Sequence, residues 1–267
     1  MKRMLHQAFD CYYLDYKLNL SNARKEGKAD AVHDFRVAYK KIAALFKFII
    51  YSDSKRLYSR YIEEWKNKLA NPYKLGGKLR KYQLIINQIQ KLNPDISNSV
   101  LYNELNEKIT QYKELFVNGL KFHRNTSSRQ IRLMLKSIDD DHGIFNENRF
   151  KEFYTTISSD ALNQLETNPP EHWHDIRRQL KVCYLLSSSG IKNSNLPSEI
   201  SILYRTAEQD LGKWHDLMVL KNFLIKNNIQ TKDDLNGIII QINSEMIAIE
   251  EMVINSCGLL SKELNQI

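Results

Sequence analysis

The chain has little of what makes turns and staples. Nine glycines and five prolines in 267 residues leave few tight turns, so its regular elements must be long. Cys11, Cys183 and Cys257 are scattered and fall in no CxxC spacing. That argues against a disulfide framework or a zinc site, and for reduced packing residues in a cytoplasmic protein. No apolar run approaches the ~18 residues that span a bilayer, and Lys2-Arg3 leads into no secretory apolar core. Strand-like alternation is missing as well; apolar residues recur at helical spacing almost everywhere. The expected fold is all-α.

A hydrophobic fraction of 42% is enough for a packed core and excludes a disordered chain. The net charge of +8 is unevenly distributed. Residues 1–142 hold 27 Lys and Arg against 15 Asp and Glu, whereas residues 143–267 hold 12 against 16. A surplus confined to one half implies a basic surface with an anionic partner. Periodicity predicts helices over 2–25, 30–51, 55–70, 77–92, 96–122 and 127–138, then 147–166, 171–189, 198–211, 213–227 and 231–265. Asp30 is placed to cap the second helix, Pro169-Pro170 to precede the one bearing His174, and Gly190 to end it. Asp139 to Gly143 reads as the joint between two domains, 1–142 and 143–267.

One arrangement of side chains occurs twice. Val32-His33-Asp34-Phe35-Arg36 is followed by Lys40-Lys41, and Trp173-His174-Asp175-Ile176-Arg177 is followed by Lys181. In each, cations at +3 and +7 from a histidine share one helix face, while apolar neighbours form another face that anchors the helix to a core. A second element repeats downstream: Gly76-Gly77-Lys78-Leu79-Arg80 and Leu211-Gly212-Lys213-Trp214-His215. Aligning the glycines pairs Lys78 with Lys213 and Arg80 with His215. Both pairs are then expected beside helix N-termini, whose free N–H groups attract anions. Arg129, Arg132 and Lys136 repeat the +3, +7 spacing once more. The repeat implies two four-helix-bundle-like halves about a pseudo-twofold axis. His6, His123 and His142 have no repeat partner and read as surface residues; Tyr39, Phe46 and Phe48 read as core.

The histidine motif, its reappearance and the glycine motif resemble the conserved histidine α-helical domain, CHAD, across essentially the whole chain. That resemblance implies two four-helix bundles and a non-catalytic role with no cofactor. It also implies binding of inorganic polyphosphate in a basic groove lined from both repeats; some members of the family localise to polyphosphate granules. Position by position, it places His33, Arg36, Lys40, Lys41, His174, Arg177 and Lys181 on the family's basic helices, and Arg205 at a commonly basic position. Ser128-Arg129 resembles a recurring Ser-x-Arg element. The match has gaps. Ala43, Val182 and Tyr184 stand where the family often has cations, Arg80-Lys81 replaces an Arg-Asp pair, and Asn71-Pro72-Tyr73-Lys74 looks inserted.

Such a polyanion has no base or sugar to read, so charge density and shape must select it. Arginine offers a planar fork to phosphate oxygens and lysine a mobile point charge. Two other classes remain open. Three His-Asp dipeptides, at 33–34, 174–175 and 215–216, resemble those of HD-type metal-dependent phosphohydrolases, although the cations that follow them would repel a divalent ion. A helical nucleic-acid-binding protein would use the same basic half, but no helix-turn-helix, zinc knuckle or RNA-binding signature is present. The acidic C-terminal helix, with Asp233, Asp234, Glu245, Glu250 and Glu251, offers a docking face for a protein partner.

Overall fold

The computed structural model describes residues 4–53, 56–94, 99–121, 129–140, 147–188, 197–227 and 233–266. Among these residues there are nine α-helices and no strand. They are α1 (Met4–Glu26), α2 (Ala29–Ser52), α3 (Ser59–Leu92), α4 (Val100–Lys121), α5 (Arg129–Asp140), α6 (Glu147–Thr167), α7 (Trp173–Ser187), α8 (Ser198–Lys226) and α9 (Asp233–Leu264). None is long and apolar enough to cross a membrane.

Two expected breaks are absent. The helices expected over 55–70 and 77–92 are the single α3, and those over 198–211 and 213–227 are the single α8. Pro72 removes an N–H from the middle of α3, a loss of about 3 kcal/mol in an isolated helix. Burial outweighs it: residues 62, 65, 69, 72, 76, 79 and 83 form one unbroken buried stripe through the proline and Gly76. In α8 an equally continuous stripe runs from Ile200 through Tyr204, Leu211 and Trp214 to Leu224. The glycines therefore do not begin helices.

The start of α2 also differs from expectation. Its N-cap is Lys28, without a side-chain cap, and Asp30 lies inside the first turn, where a carboxylate favours the positive helix end. Gly27 makes the α1–α2 turn at φ +54°, a backbone that side chains with a Cβ rarely adopt. Pro169 caps a short 3-10 turn over Pro170–His172 that leads into α7 as anticipated. Gly190, His123, His142 and residues 141–143 of the expected joint lie outside the described residues.

The chain divides into two compact units, Met1–Gln83 with Val100–Phe153 and Leu185–Asn195, and Leu84–Ser99 with Tyr154–Tyr184 and Leu196–Ile267. In the first unit α1 packs on α2, α4 and α5. Phe9, Tyr13 and Tyr16 stack along one face of α1, and Trp65 receives both Tyr16 (5.9 Å) and the edge of Phe46 (5.3 Å). Phe35 meets Phe116 edge-on at 5.7 Å. Each such pair adds about 0.5–1.5 kcal/mol beyond area burial, so the rotation of α2 is fixed by its buried face of Val32, Phe35, Ile42, Phe46 and Ile49. Phe46 and Phe48 are core, as expected.

The second unit is held by α6, α7, α8 and α9. Trp173, Ile176, Leu180 and Cys183 bury one face of α7. Ser158 on α6 shares a 2.6 Å hydrogen bond with the Tyr204 hydroxyl, and Trp173 packs on Trp214 at 5.3 Å. Trp214 Nε1 donates to Glu250 at 2.9 Å, which ties α8 to α9 and commits one carboxylate of the acidic helix to the fold.

Candidate functional site

With Val32 and Phe35 locked inward, the 3.6-residue period turns His33, Arg36 and Lys40 toward another side of α2. His33 is exposed, and Arg36 and Lys40 are half-buried. Arg36 reaches α3. Its Nη1 donates to the Tyr73 carbonyl at 2.6 Å, and its guanidinium lies 4.3 Å from the Tyr73 ring centroid. A cation over an aromatic face is attracted by the ring quadrupole, by about 2 kcal/mol where water is excluded.

Gly77 makes this approach possible. A Cβ there would lie 2.8 Å from Arg36 Nη1, so the glycine serves side-chain access within a helix rather than a turn. Gly76 faces the other way, and a Cβ on it would lie 2.9 Å from Phe116 Cε2. One turn beyond Gly77, Arg80 is close enough to act on Arg36. Burial first, and then Arg80, pulls the Arg36 guanidinium below the ordinary arginine value, with Tyr73 opposing. Among the described residues, neither Arg36 nor Arg80 has an acidic side chain within ion-pair distance. Two nearby arginines repel each other, and that repulsion is not offset by a carboxylate among the described residues.

Three other cations of this unit are already engaged. Lys41 pairs with Asp15 at 3.2 Å, Arg132 with Asp10 at 2.9 Å, and Lys78 lies 5.4 Å from the Tyr112 ring. Arg132 also sits over Tyr13, at 5.8 Å. On the same helix, Arg129 and Lys136 are exposed. Lys78 and Arg80 thus stand on the flank of α3, not at a helix N-terminus.

In the second unit the same frame returns with a different filling. A Cβ on Gly212 would lie 3.0 Å from Arg177 Nη2, so Arg177 approaches α8 as Arg36 approaches α3. Arg177 Nη2 and Lys181 Nζ both contact Glu208 Oε1, at 3.2 and 2.5 Å. Lys213 pairs with Asp210 at 3.0 Å. His174 is exposed and stacks on His215 with ring centroids 4.8 Å apart; Arg205 is exposed. Lys213 and His215 also lie within α8, away from any helix start.

Three residues that matter here escaped sequence reading: Tyr73, Glu208 and Asp210. Tyr73 and Glu208 each lie four residues before the glycine of their motif, so helical spacing already put them on the glycine's face. Cys183 and Cys257 are buried packing residues as expected, while Cys11 is exposed. Among the described residues, no group of three or more His, Cys, Asp or Glu side chains converges as a metal site would require. No family model matches the chain, and no curated protein matches it.

Proposed function

We propose that the protein binds inorganic polyphosphate without chemical turnover, through the first unit, with Arg36 and Arg80 as the principal contacts and His33 and Lys40 extending the cationic face. The observation that carries this reading is the half-buried Arg36, close to Arg80, with no acidic side chain within ion-pair distance of either among the described residues. Two further features support it: the basic surplus of residues 1–142, and the resemblance of the histidine and glycine motifs to CHAD. Tyr73 fixes one edge of the Arg36 fork, which lowers the conformational cost of presenting the rest to phosphate oxygens. A chain of phosphates meets such a site by charge and spacing alone, so no nucleophile or metal enters. A cytoplasmic place at polyphosphate granules belongs to the same proposal.

The test is equilibrium binding of long-chain polyphosphate to the whole protein, with RNA as competitor at equal phosphate concentration. Tight binding that RNA does not displace, with polyphosphate length unchanged after incubation, supports the reading. Displacement by RNA favours nucleic acid as the partner, and shortening of the chains means an enzyme.

A further inference from the structure

The internal repeat suggests two anion sites, one per unit, and the units differ at the residue that decides whether each is open. Four residues before Gly77, Tyr73 gives Arg36 a carbonyl oxygen and an aromatic face but no negative charge. Four residues before Gly212, Glu208 puts one carboxylate oxygen between Arg177 and Lys181. We infer that Glu208 is a built-in counter-anion that closes the second cation cluster, so the chain takes one short phosphate chain rather than two. The inference deepens the polyphosphate reading and rests on it for the first unit only.

Glu208 is 6% exposed, and the side chains of Arg177 and Lys181 are 23% and 21% exposed. A carboxylate so buried is costly unless cations compensate it, and here two cations share a single oxygen. That oxygen stands where a phosphate oxygen would sit, between a guanidinium and an ammonium. An incoming phosphate must displace it and leave a buried negative charge beside the ligand, so charge-assisted bonds are exchanged rather than gained. Asp210, 4% exposed, pairs with Lys213, whose own side chain stays largely exposed. Trp173 and Trp214 are buried at the neighbouring positions, so the arrangement is built into the packing of α7 on α8.

The experiment counts bound tripolyphosphate per chain by isothermal titration calorimetry on the whole protein. Native protein should bind one, through Arg36. Glu208→Gln keeps the side-chain size, removes the charge, and should bind a second; adding Arg177→Ala should abolish that second site. Glu208→Tyr, which copies the first unit, should do the same and stands in should the glutamine variant not fold, as judged by circular dichroism. Native protein that binds a second tripolyphosphate lost with Arg177→Ala overturns the inference. So does a failure of both Glu208 variants to gain an Arg177-dependent site, whatever the first unit does. If Arg36→Ala leaves native binding untouched, the Arg36 reading fails, yet a gained Arg177-dependent site still upholds the role of Glu208.

Discussion

Tyr73 and Glu208 occupy the same place in two similar frames, each one helical turn before a glycine against which an arginine lies. The exchange is chemically large. A backbone carbonyl acceptor and a neutral ring leave the arginine's charge uncompensated, whereas a carboxylate offsets one of two positive charges and contacts both cations.

That relationship makes the first site closable. Tyr73→Glu should place a carboxylate beside Arg36 and Arg80, stabilise the fold or leave it unchanged, and weaken polyphosphate binding at least tenfold. Tyr73→Phe should bind as the native protein does, because the backbone carbonyl and the ring face are what Arg36 uses. Fluorescence anisotropy with labelled polyphosphate, alongside urea unfolding, checks both; equal binding by Tyr73→Glu would remove Arg36 from the site.

The two neighbouring glycines of α3 should respond differently to a methyl group. At Gly77 the obstacle is the mobile end of Arg36, so Gly77→Ala should keep stability within about 1 kcal/mol, helix propensity offsetting the shift. Its anion affinity should fall several-fold as the guanidinium moves. At Gly76 the obstacle is the fully buried ring of Phe116, and overpacking there should cost about 1–3 kcal/mol. Urea midpoints for both variants separate the two effects.

Affinity should fall steeply with salt, since each phosphate neutralised releases counterions. Arg36→Ala should weaken binding about tenfold or more and reduce the slope of log affinity against log salt by about 1. Circular dichroism should show native helicity. A titration from 50 to 300 mM salt, in both proteins, reads the difference; an unchanged slope would show that Arg36 meets no phosphate.

Alkali should loosen the fold in a defined window. Burial, then Asp210, pushes the Cys257 thiol from 9.0 up to about 12, and burial, then Tyr73, pushes the Tyr39 phenol from 10.0 up to about 12. Both groups hold their protons more tightly when folded. Their contribution is therefore complete below pH 9 and is lost as pH climbs to 12. Urea midpoints should decline across that range. At pH 8, one thiol, Cys11, should react with a disulfide reagent in native protein and three after unfolding.

Most of the helical content was legible because amphipathic periodicity is a local property. Proline and glycine signal breaks locally, whereas α3 continues by burying one stripe through Pro72 and Gly76. The repeated His-x-x-Arg spacing announced cationic faces. It carried no information on which cations were already occupied, since Asp10, Asp15 and Glu208 reach them from other helices.

By itself, then, the order of residues set the helical class, the cationic faces and their repetition, all consequences of spacing along a single helix. Tertiary packing alone decided that the glycines admit arginines, that Tyr73 meets Arg36 without a negative charge, and that Glu208 contacts both Arg177 and Lys181. The physical reason is range. Periodicity acts over a turn or two, but the electrostatic state of a side chain depends on whatever the fold brings within a few ångströms of it.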